Sequence, residues 1–419
     1  MKRIVLSFVV VFGILSLGRL AAQQPNGQRA TCLTDECMRH LHANHPEGYS
    51  QVEVPSAKTL HEGEPEFLFV IPVVFHILTD GGAELGVTLE QCQSQIDVLN
   101  EDFGRFGNGF NNHPDGLDTK IKFCMASRDP EGNFTIGMDT ANYVFTSNHN
   151  PFTPGLDSAM KSLAVWDVNR YCNIYVVRSI LNGANSGYAY FPNEVFGTEL
   201  DGIVLDYRHI GRTGTAPELG RTGTHEMGHY LSLYHPWGLE DTLCGSPDGD
   251  FCEDTPEVPV QYFSLAPTCF KPPSCGDSLR QIENYMDYSD DACQNMFTFN
   301  QCQRMRQAIT RYRGQLVSSD NLALTGCSET LISEPSKDEF IVYPNPVSDV
   351  LLVYADFEDD NPVSIELYDF AGRLVIQEES AGQGRGAIPL DVSNLTIGTY
   401  HLLVRMANRY HRQSIFVVR

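Results

Sequence analysis

Three histidines and a glutamate fall close together in the run Thr224-His225-Glu226-Met227-Gly228-His229-Tyr230-Leu231-Ser232-Leu233-Tyr234-His235. On a helix, residues four apart lie on one face, so His225 and His229 can both reach a single metal ion. A zinc ion accepts imidazole nitrogens at about 2.0–2.1 Å, and two such rings fit one turn of helix. Glu226, one residue on, is near enough to take a proton from a water at that metal but is not placed to bind the metal itself. His235 can supply a third ligand once the helix stops near Ser232 and the chain turns back. Three histidines leave one position for water, the arrangement of a catalytic zinc and not of a closed structural one. The plainer alternative is three structural histidines on a buried helix, and the third histidine at this offset argues against it. Another enzyme reading takes a downstream carboxylate, Glu253, Glu257 or Glu283, as third ligand, which leaves His235 without a purpose.

A second segment, Asn284-Tyr285-Met286-Asp287-Tyr288, agrees with the first. Together with the histidines it resembles the Met-turn of the metzincins, in which a methionine lies beneath the metal. From Ile71 to about Arg313 the chain resembles one branch of them, the pappalysin (cytophagalysin-like) metalloproteases. The matching pieces are Ile71-Pro72-Val73-Val74-Phe75-His76, Asp201-Gly202-Ile203-Val204, the histidine helix, Gly249-Asp250 with Asp254-Thr255-Pro256, and Asn284 to Cys293 continuing as Asn295-Met296-Phe297-Thr298.

That resemblance implies a zinc metalloendopeptidase with Met286 under the metal and Tyr288 as the hydroxyl that stabilises the tetrahedral intermediate. It implies that Asp291 lines the pocket for the residue after the scissile bond, where a carboxylate favours Arg or Lys; the alternative is a solvated turn residue. Cys32-Leu33-Thr34-Asp35-Glu36 resembles the segment whose cysteine caps the zinc in a latent form, a role a thiolate can fill. Otherwise Cys32 pairs with Cys37 or another cysteine. The family further suggests disulfides Cys244–Cys275 and Cys269–Cys293, and calcium near the acidic loop Asp248, Asp250, Glu253 and Asp254, where solvated carboxylates are the alternative. One departure is Ser232, which stands where the family has a glycine suited to a left-handed turn, at an expected cost of about 1 kcal/mol.

The elements that must position these residues are legible as patterns. Phe67 to Leu78 is a dense apolar run that reads as a buried strand. Thr88 caps a helix carrying Ile96, Leu99 and Phe103 at helical spacing. Further strands are expected at Ile121 to Met125, Cys172 to Val177, Gly187 to Phe191 and Gly202 to Tyr207, and the histidine helix from near Gly223 to Tyr230. Strands interleaved with helices predict an α+β catalytic domain, a mixed twisted sheet backed by helices above an irregular, disulfide-rich lower part. After the polar break 331–337 the pattern changes to short strands at Ile341 to Tyr343, Val350 to Tyr354, Val363 to Tyr368, Leu374 to Gln377, Tyr400 to Val404 and Ser414 to Val418. These predict an antiparallel β-sandwich over 338–419. Tyr343-Pro344-Asn345-Pro346, Ile365 to Asp369 with Gly372-Arg373, and Gly398-Thr399-Tyr400 resemble the C-terminal sorting domain of the type IX secretion system of Bacteroidetes. A carbohydrate-binding or adhesive sandwich is the alternative.

Composition sets the compartment and excludes partners. Met1-Lys2-Arg3, the short apolar stretch Ile4 to Gly18, and Ala21-Ala22 read as a cleaved secretory signal over 1–22 and not as a transmembrane anchor. Residues 23–65 form a polar leader, a pro-segment or a disordered tail, ahead of a protease domain over 66–330. The 419-residue chain has 53 acidic and 29 basic side chains, a formal charge of -24, which repels nucleic acid and anionic membranes. The expected partners are protein or peptide substrates and the secretion machinery, and the expected location is outside the cell or on its surface. Twelve cysteines in an exported chain predict disulfides. Setting aside Cys32 and Cys37 leaves an even number that can pair fully. From a different class, a catalytically inactive surface binding or adhesion protein keeping this fold is the competing reading, and the intact Glu226 argues against it.

Overall fold

The computed structural model describes residues 31–44, 68–81, 85–106, 113–133, 135–215, 219–238, 249–259, 261, 268–275, 279–328, 341–343, 347, 350–357, 362–369, 372–381, 384–406 and 409–418. The signal segment, the rest of the leader and the break at 331–337 lie outside these residues, as do Cys244 and Asp248 of the proposed disulfide and calcium loop.

Seven strands make the first sheet: β1 (Thr31–Cys32), β2 (Phe69–Thr79), β3 (Ile121–Met125), β4 (Met138–Asn142), β5 (Cys172–Val177), β6 (Asn185–Ala189) and β7 (Ile203–Asp206). Their order is β1-β6-β7-β5-β2-β3, with β4 also paired to β2. Pairings are parallel except β6 against β7, which makes the sheet mixed. β2 is central and buried along nearly its whole length, which is why it reads as a continuous apolar run. Its one polar interior residue, His76, is held from both neighbours by Asp139 at 2.7 Å and Asn173 at 2.8 Å.

Helices pack on the sheet. α1 (Thr34–Asn44) follows β1, and α2 (Leu89–Gly104) starts where the Thr88 hydroxyl accepts the Gln91 N–H at 3.1 Å. After α3 (Leu156–Lys161) and the short α4 (Pro192–Val195) comes α5 (Arg221–Tyr230), the histidine helix. α6 (Phe299–Tyr312) begins with a full capping box of Thr298 and Gln301, and α7 (Ser319–Thr325) follows it. The main core joins α2, α5 and α6 to one face of the sheet through Ile71, Val73, Leu99, Phe103, Met227 and Met305. The leader is not the featureless tail its composition suggests. Leu33, between its strand and helix, and Cys37, Met38 and Leu41 of the helix are buried against Tyr188, Tyr190 and Phe191 in a second apolar cluster.

Strands β8 (Ile341–Tyr343), β9 (Val350–Phe357), β10 (Pro362–Asp369), β11 (Leu374–Ala381), β12 (Gly384–Asp391), β13 (Gly398–Met406) and β14 (Arg409–Val417) form two antiparallel sheets, β11-β10-β13-β14 and β12-β9-β8. They share one apolar core that includes Leu351, Ile365, Leu367, Leu402 and Ile415. Among the described residues no helix is long and apolar enough to cross a membrane.

The cysteine arithmetic is corrected by the fold. Disulfides join Cys124 to Cys327 and Cys269 to Cys293, and Cys275 is also disulfide-bonded. Beyond Cys32 and Cys37, however, Cys92, Cys172, Cys252 and Cys302 are free and buried. They pack as small apolar side chains, and burial pushes the thiols of Cys92, Cys172 and Cys302 up to about 12.

The exit from α5 carries strain where the sequence places it. Ser232 has φ 79°, the left-handed conformation. Its N–H donates to His229 O at 2.8 Å, and the Leu233 N–H reaches back to Gly228 O at 2.9 Å, closing the helix and turning the chain toward His235. Arg304 on α6 clamps this turn, donating to Ser232 O at 2.7 Å.

Ser232→Gly should raise unfolding free energy by about 0.5–1 kcal/mol in denaturant titration, and no gain would mean the turn stores no strain. Cys124–Cys327 spans 203 residues and Cys269–Cys293 spans 24. Loop-closure entropy then makes removal of the longer cross-link costlier by about 2 kcal/mol when paired-alanine variants are unfolded side by side.

Candidate active site

α5 and the turn after it bring three imidazoles to one point. The Nε2 atoms of His225, His229 and His235 lie 3.1, 3.2 and 3.2 Å apart. Each ring is fixed from behind. Nδ1–H of His225 donates to Tyr285 O at 2.7 Å, that of His229 to Leu233 O at 2.7 Å, and that of His235 to the Asp35 carboxylate at 2.8 Å. Because the proton of every ring sits on Nδ1, the short Nε2 separations are not hydrogen bonds. They are three lone pairs aimed at a common point, which repel unless a cation lies between them. A tetrahedral zinc with nitrogens at about 2.0–2.1 Å would set its ligands roughly 3.3 Å apart, so this donor set fits that ion. Burial, then the neighbouring His235 and His225, holds His229 well below the usual imidazole range, which keeps the ring neutral with its Nε2 lone pair free.

Cys32 completes the cluster. Its Sγ and the three Nε2 atoms all lie within 4.8 Å of one another, and among the described residues this is the one group of metal-binding side chains so arranged. Glu253, Glu257 and Glu283 are not part of it. The Cys32 thiol donates to Glu226 Oε2 at 3.5 Å, and the Thr34 hydroxyl donates to the same oxygen at 3.3 Å. Glu226 is fully buried, its Oε1 has no partner, and burial pushes its carboxyl up to about 8 against those two hydrogen bonds. Among the described residues, the hydrogen bonds to the Glu226 carboxylate therefore come from the leader.

Met286 is buried beneath the histidines. A Cβ on Gly228, between His225 and His229, would come within 2.4 Å of the Met286 sulfur, so a larger residue at 228 would have to displace that sulfur. Tyr288 donates its hydroxyl to the peptide oxygen of Cys32 at 3.1 Å, which puts a carbonyl of the leader against the phenol. The Trp237 ring stacks on His235 at 4.5 Å between centroids.

Beside Glu226 a cavity is lined by Cys32, Arg221, His225, Tyr288, Asp291 and Gln294. Asp291 is 3% exposed and is no solvated turn residue. Its Oδ2 accepts the backbone N–H groups of Leu219 and Arg221, both at 3.1 Å, at the start of α5. Arg221 in turn donates to the Asp291 backbone oxygen and to Asp102 Oδ1 at 3.3 Å. Asp102 also accepts from Thr224 and Tyr285, tying α2, α5 and the methionine turn together. Neither Asp102 nor Arg221 is signalled by spacing, because the contacts bridge elements 70 to 183 residues apart.

Two of the expected calcium ligands, Asp250 and Asp254, hydrogen-bond within the protein, and Asp248 lies outside the described residues. Asp250 accepts from Cys252 N at 3.0 Å and Thr255 at 2.6 Å, and burial pushes its carboxyl up to about 7. Asp254 accepts from the Thr298 hydroxyl at 2.7 Å and Asn300 N at 2.8 Å, reinforcing the start of α6.

Comparison with known proteins points to a metalloprotease. Residues 156–310 match the Peptidase_M43 family model, described as pregnancy-associated plasma protein-A, and residues 341–418 match a secretion system C-terminal sorting domain. An extracellular metalloprotease of Colletotrichum graminicola is 31% identical over 253 residues, 58% of this chain and 77% of that protein. Another, from Arthroderma otae, is 30% identical over 251 residues, 58% of this chain and 78% of its own length. Tannerella forsythia mature mirolysin in complex with a cleaved peptide superposes with TM-score 0.53 at 33% identity, covering 62% of this chain and 99% of that one. A promirolysin mutant from the same organism gives 0.56 at 30% identity, covering 70% and 99%. Fold, histidine cluster and relatives converge, and the chain belongs to the Peptidase_M43 (pappalysin) metallopeptidases as a secreted or cell-surface metalloprotease with a type IX sorting domain at its C-terminal end.

Proposed function

We propose that the chain is a zinc-dependent endopeptidase made as a zymogen, with signal 1–22, pro-segment 23–65, protease 66–330, linker 331–337 and sorting domain 338–419 read by the type IX machinery. The observation that carries the zinc reading is the convergence of three Nε2 lone pairs, each with its Nδ1 proton tied outward. His225, His229 and His235 would hold the ion, and when bound it supplies Lewis acidity and lowers the pKa of a coordinated water.

The remaining chemistry belongs to the chain's own side chains. Glu226 takes the proton of the attacking water and passes it to the leaving amine nitrogen, and its burial raises its basicity for that task. Tyr288 donates to the oxygen that gains charge in the tetrahedral intermediate, and its hydrogen bond to the Cys32 carbonyl supports this role. Met286 and the Asp102 network fix the histidine helix. Asp291 on the cavity wall favours Arg or Lys after the scissile bond, since its carboxylate is buried and held rigid by two backbone N–H groups. Cys32 caps the cluster in the latent form. The longer match to promirolysin than to mature mirolysin, 70% against 62% of this chain, supports a pro-segment here.

Cleavage of a peptide library by the protein freed of its pro-segment tests this reading. Expected is chelator-sensitive hydrolysis before Arg or Lys, lowered about 10²–10⁴-fold in Glu226→Gln with zinc retained. Zinc-loaded, folded protein that cleaves nothing would favour the binding-protein reading. Asp291→Asn should lower kcat/KM for basic substrates more than for neutral ones. An equal loss for both would leave Asp291 a structural anchor of α5.

A further inference from the structure

The three histidines are not supported alike. His225 and His229 donate their Nδ1 protons to backbone oxygens of the protease domain, Tyr285 O and Leu233 O. His235 donates its own to a side chain of the leader, the Asp35 carboxylate, with both oxygens within 2.9 Å. Among the described residues Asp35 is the partner of that nitrogen. The contact is shielded, with His235 fully buried and the Asp35 side chain 10% exposed. Asp35 Oδ2 also accepts the Trp237 indole N–H at 3.3 Å, and that indole stacks on the His235 ring. One carboxylate therefore fixes the tautomer of the third histidine, its ring plane and the aromatic face beside it.

We propose that Asp35 is a positioning residue of the zymogen's metal centre, acting through His235 so that the pro-segment strengthens metal binding as well as blocking the site. This rests on the zinc reading above. A carboxylate behind a metal-binding imidazole raises its basicity and removes its rotational freedom, and losing such a partner commonly weakens metal binding 10–100-fold. Asp35 and Cys32 act on different ligands, one completing the cluster and the other orienting a histidine already in it. Their contributions are separable. Excision of the pro-segment withdraws both and leaves His235 Nδ1 to water, so the mature enzyme holds its metal more loosely than its precursor. Docking of the leader does not itself depend on Asp35, since Leu33, Cys37, Met38 and Leu41 bury an apolar face against Tyr188, Tyr190 and Phe191.

The test is zinc affinity of the full chain, measured by equilibrium competition with a chelator of known strength, with an intact pro-segment confirmed by mass. Asp35→Ala should weaken binding about 10–100-fold. Asp35→Asn, which keeps size and an acceptor oxygen but drops the charge, should fall between it and the parent. The deciding comparison is the Cys32→Ser background. Asp35→Ala should cost a similar factor there, because His235 still loses its partner. An effect that vanishes in that background would overturn the proposal, since Asp35 would then serve only to seat the thiol. Unchanged affinity in Asp35→Ala would overturn it as well. A parent chain that binds no equivalent of zinc would instead reject the zinc reading on which the proposal stands.

Discussion

Three imidazole lone pairs pointing at one another at 3.1–3.2 Å are the constraint around which the catalytic domain is organised. No neutral arrangement of these rings is stable at that separation without a cation, so each must be forced into place from behind. The forces are local and identifiable. A helix supplies the four-residue spacing of His225 and His229, and the carbonyl preceding Met286 orients the first of them. A left-handed turn at Ser232 brings back the third. Arg304, from a helix seventy residues downstream, clamps that turn by hydrogen bonding its carbonyl. Strain at one residue is thereby offset by a charged hydrogen bond from another part of the chain.

Electrostatics around the cluster follow from burial. Asp102 sits under the start of the histidine helix and is matched by Arg221, Thr224 and Tyr285. The pocket carboxylate of Asp291 and the first backbone N–H groups of that helix form one unit. The cavity wall and the histidine helix consequently share their anchor. The leader takes up what remains: Thr34 and Cys32 occupy Glu226, Asp35 occupies His235, and the Cys32 carbonyl occupies Tyr288. One short segment engages three of these groups at once.

Much of this was legible in the sequence. The histidines, Glu226 and the strained Ser232 could be read because their positions are fixed by local geometry, the 3.6-residue turn and the helix end. Strands β3 and β5 fall where apolar runs put them, and α2 begins at its threonine cap. The leader's helix was missed because its polar composition hid Leu33, Cys37, Met38 and Leu41 at helical spacing. A threonine capping box would have marked the start of α6. Parity misled on the cysteines, since a thiol inside a packed core gains nothing from pairing. Asp102, Arg221 and Trp237 carry no sequence signal because their partners come from distant elements.

X-ray absorption at the zinc edge, on the purified full chain before and after removal of the pro-segment, examines the cluster most directly. Expected for the intact chain is one zinc with three nitrogens at about 2.0–2.1 Å and one sulfur at about 2.3 Å, the sulfur giving way to oxygen once the pro-segment is gone. No stoichiometric zinc, or a ligand set without three histidine nitrogens, would contradict it.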